Sequence, residues 1–161
     1  MMTRIAITGH RGLQEATRSL VDAALRAELR RQADDAPLVG VSCLADGADA
    51  LFAQAVLDEG GSLVAVLPAQ RYRERLPTDY HPTYDALLQQ AAEVVTMDYD
   101  RPGREAYMAA SVHMVDVADR LVAVWDGRPA AGRGGTADVV THARHHGVPV
   151  TVIWPDGCQR D

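Results

Sequence analysis

Apolar and polar positions along this chain follow two periods, and the switch from one to the other recurs over its whole length. Short runs rich in β-branched residues, "RIAIT" (4–8), "LVGVSC" (38–43), "SLVAVL" (62–67), "EVVTM" (93–97), "RLVAVW" (120–125) and "VPVTVIW" (148–154), read as buried strands. Between them, "LQEATRSLVDAALRAELRRQ" (13–32), "GADALFAQAVLDEG" (47–60), "TYDALLQQAA" (83–92), "REAYMAASVHMVDVAD" (104–119) and "TADVVTHARHHG" (136–147) carry apolar residues at i, i+3 and i+4, the spacing of one helix face. Strand and helix alternate without hairpin signals. This predicts a three-layer α/β/α architecture, with a mainly parallel sheet of about six strands, the first strand near its centre and helices on both faces.

One stretch breaks the rhythm. "PAQRYRERLPTDYHP" (68–82) is too polar and proline-rich for a regular element and is expected to be an active-site loop. Arg71, Tyr72, Arg73 and Arg75 lie so close together that some must point outward. Tyr72 offers a face for a base to stack on, against the alternative of a solvated turn without a role.

Length and composition narrow the class. With 161 residues, 47% of them hydrophobic, the chain is expected to form a single domain over 1–161 that buries about two thirds of its unfolded surface. Its net charge of −6 argues against a long nucleic acid as partner, since phosphate neutralisation needs clustered positive charge. The basic residues are arginines, suited to forked recognition of phosphate or carboxylate at a few points. Cys43 and Cys158 show no CxxC spacing, and no run approaches the ~18 apolar residues of a membrane helix. A cytoplasmic protein without a membrane partner is expected.

In an open parallel sheet, ligands sit outside the carboxyl ends of the strands, where the strand order reverses. Three small-residue loops fall there: "TGHRG" (8–12), "SCLADGADA" (42–50) and "WDGRPAAGRGGT" (125–136). In the first, Gly9 allows backbone approach while Arg11 and His10 supply charge, unless Arg11 merely pairs with a surface carboxylate. In the second, Asp46, Gly47 and Asp49 open a helix, where Asp46 reads better as an N-cap than as a ligand contact. In the third, Gly132, Gly134 and Gly135 with Thr136 form an anion cradle at a helix start, with Arg133 adding a fork of donors; the alternative is a tight turn that needs glycine. The shared-crevice reading makes the partner a nucleotide or other phosphorylated small molecule.

These same segments resemble the SLOG superfamily, the Rossmann-like nucleotide-binding group that includes the LOG phosphoribohydrolases, the DNA-processing protein DprA and YpsA-like proteins. "ITGHRG" is similar to the Gly-x-Arg turn of DprA-like and YpsA-like members. "SCLADGADALFAQAVL" is similar to the "SGxAxGxD" segment of DprA, with Ser42, Gly47 and Asp49 in matching places. "MVDVADRLVAVWDGRPAAGRGGT" resembles the "SDAFIALPGGxGT" segment of LOG enzymes, and "YMAASVHMVDVADRLVAVWDG" is closer still to YpsA-like proteins. The resemblance implies a Rossmann-like scaffold and, by analogy with LOG relatives, a homodimer.

Departures from the LOG pattern bear on the chemistry. In those enzymes a glutamate follows the threonine by three residues, and an arginine precedes the methionine of the preceding helix by four; here those places hold Val139 and Ala110. Asp138 is one residue early, about 100° around the helix, and Arg104 would need a different helix register, so both are weak catalytic candidates. "THARHH" puts His142 beside His145 and His146 on one helix face, yet without a third ligand motif, so no metal and no cofactor is expected. Ser42 and Ser111 lack a nucleophile elbow. The expected function is a binding or sensor module for a nucleotide or nucleotide-derived signal; the alternative is a LOG-type N-glycosidase acting on nucleoside 5′-monophosphates.

Overall fold

The computed structural model describes residues 2–33, 37–129 and 135–160. The strands are β1 (Thr3–Gly9), β2 (Leu38–Ser42), β3 (Ser62–Leu67), β4 (Glu93–Thr96), β5 (Arg120–Val124) and β6 (Val150–Ile153). The helices are α1 (Glu15–Gln32), α2 (Ala48–Asp58), α3 (His81–Gln89), α4 (Arg104–Val117) and α5 (Thr136–His145). The six strands form one sheet in the order β4-β3-β2-β1-β5-β6, every neighbouring pair parallel. The expected architecture holds, including the near-central β1.

The two faces of the sheet follow from alternation along each strand. Ile5 and Ile7 of β1, with Val122 and Val124 of β5, pack against Val21, Leu25 and Leu29 of α1 and Phe52 and Val56 of α2. Ala6 points the other way, with Val41, Val66 and Leu121, onto Ala110, Met114 and Val115 of α4 and Val139 and Ala143 of α5. Leu63 and Ala65 of β3 meet Tyr84 and Leu87 of α3 together with Tyr72 and Leu76. Helices α1 to α3 therefore cover one face and α4 and α5 the other. With right-handed crossovers, the change of face puts the topological switch between β1 and β5.

The 68–82 segment is more regular than its composition suggests. It contains two 3-10 turns, Arg73–Arg75 and Thr78–Tyr80, before α3 starts at His81 with Pro82 in its first turn. Proline is favourable there because its missing N–H would have no helical partner. Arg71, Arg73 and Arg75 are exposed as expected, but Tyr72 is only 1% exposed. Its ring sits edge-on to Tyr84 at 6.1 Å and to Tyr107 at 6.2 Å. The aromatic body is core, because a 3-10 turn pinned between apolar neighbours can turn one residue inward while its charged flanks stay in water.

Candidate functional site

The carboxyl ends of β1, β2 and β5 are stitched together by their loops. His10 N–H donates to the Val124 carbonyl at 3.2 Å, and Ala48 N–H donates back to the His10 carbonyl at 3.2 Å. Above this seam lies a cavity of about 320 Å³, within the ~300–1,000 Å³ usual for small-molecule sites. Its floor comes from β1 (Thr8, Gly9), the β2–α2 loop (Cys43) and the first turn of α2 (Asp49), one wall from α4 (Tyr107, Ser111, Met114), and its far end from Gly135, Thr136 and Ala137 at the start of α5. Among the described residues, Arg11, Arg128 and Arg160 bring positive charge to it.

Of the residues singled out in the sequence, Gly9, His10, Arg11, Cys43, Asp49, Tyr72, Ser111, Gly135 and Thr136 line this cavity. Gly132, Arg133 and Gly134 lie outside the described residues. Arg104 and Asp138 do not line it. The positions that would carry the LOG arginine and glutamate point into the second core: Ala110 is 0% and Val139 1% exposed.

Several residues do something other than expected. Gly9 is required by helix packing, since a Cβ there would lie 2.5 Å from that of Ala48. Asp46 is not the cap of α2: Gly47 is, without any side-chain cap bond. The Asp46 carboxylate instead accepts from Nε and Nη2 of Arg11 at 3.0 and 2.8 Å, so the surface-pairing alternative for Arg11 is what the structure contains. Ser42 is fully buried behind the cavity wall, its hydroxyl accepting from Leu44 N–H and donating to the Asp49 carbonyl. Gly135 has φ −79°, extended backbone open to any residue, so positive φ is not why glycine stands there.

Electrostatics divide the site in two. On the α2 side, burial pushes the Asp49 carboxyl up to about 7; Asp46 adds to this, while the Ala45 N–H and Arg11 oppose it. Burial likewise pushes up the Cys43 thiol, whose Sγ lies 3.7 Å from Met114 Sδ, so it is a packed thiol rather than a nucleophile. On the β5 side, His10 Nε2 accepts the Asp126 N–H at 3.2 Å, which places the proton of a neutral ring on Nδ1. Burial and then the Arg160 charge hold this imidazole below its ordinary 6.5, against the upward pull of Asp126. Burial works against the Asp126 carboxylate too, but the Arg128 N–H, His10 and Arg160 keep it below its usual range.

Sequence reasoning missed Tyr107, Trp125, Arg128 and Arg160. Tyr107, Ser111 and Met114 sit at i, i+4 and i+7, one face of α4, which is the signal that was available. Arg160 gave none, because only the return of the tail after β6 brings it to the site.

Solved structures share this fold. DprA from Streptococcus pneumoniae superposes with a TM-score of 0.71 at 18% identity, over 97% of this chain and 52% of that one. TM1055 does so with a TM-score of 0.60 at 20% identity, over 92% and 72%. The shared architecture is the Rossmann-like three-layer α/β/α fold. DprA from Helicobacter pylori gives a TM-score of 0.66 at 16% identity, over 97% and 67%. The chain thus spans about half the length of the Streptococcus protein. No family model and no curated protein matches the sequence significantly.

The Helicobacter structure is described by its single-stranded DNA binding mode. That overturns the expectation, drawn from net charge, that a long nucleic-acid partner is excluded. Net charge averages over a whole surface, whereas strand binding depends on local charge and stacking faces. Among the described residues, no helix is long and apolar enough to cross a membrane, and no group of three His, Cys, Asp or Glu is placed to hold a metal. His142 instead lies 3.5 Å from Asp116 and against His146, with ring centroids 4.1 Å apart.

Proposed function

We propose that the cavity binds a nucleotide or nucleotide-derived phosphorylated molecule and that the protein acts as a binding or sensor module. The observation that carries this reading is the shared opening of the α5 N-terminus and the guanidinium groups of Arg128 and Arg160 onto one cavity at the β1/β5 switch point. N–H groups at a helix start and forked arginines are complementary to phosphate oxygens. Tyr107 and Trp125 offer the apolar surface a base or ribose face would cover, and half-buried Asp49 offers a hydrogen-bonding partner for hydroxyls.

The burial of Ala110 and Val139 supports binding over glycoside cleavage. An oxocarbenium-like ribose needs a carboxylate beside it, and the helix positions that supply the charged pair in LOG enzymes are apolar and closed to solvent in this chain. Calorimetry with AMP and ADP-ribose, paired with chromatography for released adenine, tests the reading. Binding without base release is expected. Release of adenine at a steady rate would establish the glycosidase instead, and no heat with either compound would remove the nucleotide.

A further inference from the structure

The segment after β6 turns back across the first helix and delivers Arg160 to the mouth of the cavity. Three contacts fix its path. Trp154 stands edge-on to His10 at a centroid distance of 5.4 Å. Cys158 packs against the core of the α1 face, following a turn in which its N–H donates to the Pro155 carbonyl. Gln159 is clamped by the buried Thr17 hydroxyl, which accepts the Gln159 N–H at 3.0 Å and lies 3.2 Å from the Gln159 carbonyl. The backbone next to Arg160 is therefore held, while the Arg160 side chain is 41% exposed.

The partner of that guanidinium is loose. Arg160 Nη1 stands 3.6 Å from Asp126 Oδ2, well beyond the ~2.7–2.9 Å of a charge-assisted hydrogen bond. Asp126 has other partners: its Oδ1 accepts the Arg128 N–H at 3.0 Å, and His10 Nε2 lies 3.6 Å from that same oxygen. By contrast, Arg11 on Asp46 and Arg73 on Asp85 both reach 2.8 Å. Arg160 also lines two hollows that share residues with the central cavity, one beside Gly12 and Leu13 and one beside Trp154 and Cys158. It is a cation stationed at the mouth by a fixed backbone, with a weak hold on its only carboxylate neighbour among the described residues.

We infer that Arg160 is an anion-recognising residue of this site, its side chain exchanging Asp126 for a phosphate oxygen of the bound ligand while the Thr17–Gln159 clamp keeps its backbone in place. The inference rests on the nucleotide reading above and adds to it the element that selects phosphorylated from unphosphorylated ligands. The guanidinium fork matches a phosphate bidentately, which a tail lysine would not.

The test compares wild type, Arg160→Gln and Arg160→Lys by calorimetry with AMP and with adenosine, with the melting temperature of each variant as a check on folding. Arg160→Gln is expected to weaken AMP about 10- to 100-fold, the worth of a charged hydrogen bond, and to leave adenosine unchanged. Arg160→Lys should fall between. Equal AMP affinity in wild type and Arg160→Gln would overturn the inference while leaving the nucleotide site standing. If wild type binds neither AMP nor adenosine, the nucleotide reading fails and this inference fails with it.

Discussion

A Cβ built on Gly47 would lie 2.7 Å from the carbonyl oxygen of His10, the oxygen that also accepts the Ala48 N–H. The β1–α1 and β2–α2 loops thus meet backbone to backbone, and this closeness sets the floor of the cavity. Gly47 has φ +93°, a conformation that L side chains rarely adopt. Gly47→Ala should cost about 1–3 kcal/mol for the backbone conformation alone, with the overlap on His10 and Arg11 in addition. Gly127 is the control: it has φ +83° but open space around it, so Gly127→Ala should cost only about 1–2 kcal/mol. Denaturant midpoints of the two variants make the comparison, and equal losses would mean the loop contact carries no energy.

Ser42 and Leu44 form a second support. Leu44 is a non-glycine residue at φ +58°, held there by its N–H to Ser42 Oγ at 3.0 Å and its carbonyl accepting the Tyr80 hydroxyl at 2.7 Å. Ser42→Ala strands the Leu44 N–H in the core, which should cost about 1–3 kcal/mol. Because the same hydroxyl bonds the Asp49 carbonyl, the variant should also loosen the first turn of α2. Amide exchange at residues 44–50 would report it, and an unperturbed rate there would mean the turn holds without the serine.

The strands and helices were legible because each buried face repeats over several turns or residues, as in Val21, Leu25 and Leu29 of α1. The loops that converge on the β1/β5 switch were legible from topology alone. What escaped was every role decided by one distance. Asp46 in a helix-opening motif reads as a cap, yet Gly47 already occupies the cap and leaves Asp46 to Arg11. Tyr72 between arginines reads as exposed, yet its neighbours in space are Tyr84 and Tyr107, distant in sequence. Arg160 could not be placed at all before the Thr17–Gln159 clamp was known.

Tyr72 lines the cavity and also fills the core beside α3, so truncation and binding would be confounded in Tyr72→Ala. That variant should lose about 3–5 kcal/mol of stability, as large aromatic truncations do. Tyr72→Phe keeps the ring and removes only the hydroxyl, so its fold should be close to wild type. If Tyr72→Phe binds AMP as wild type does, the ring acts as a wall; a weakened affinity at unchanged melting temperature would give the hydroxyl a direct role.

Asp49 makes the stability of this fold depend on pH. Its carboxyl rises from the ordinary 3.8 to about 7 in the folded protein, chiefly through burial. Between those two values the folded chain keeps a proton that the unfolded chain has lost. The contribution of this group is therefore fully present below 3.8, declines as pH rises through the window, and is a constant penalty above about 7. At ~1.4 kcal/mol per pH unit the full shift is an upper bound, and screening through the open cavity brings the expected penalty to on the order of 2 kcal/mol. Asp49→Asn removes the titration while keeping the shape. Its advantage over wild type should be on the order of 2 kcal/mol at pH 8 and should shrink towards zero near pH 4. Urea unfolding of both proteins at the two pH values measures this, and an advantage independent of pH would show that the carboxyl ionises without penalty between Arg11 and the Ala45 N–H.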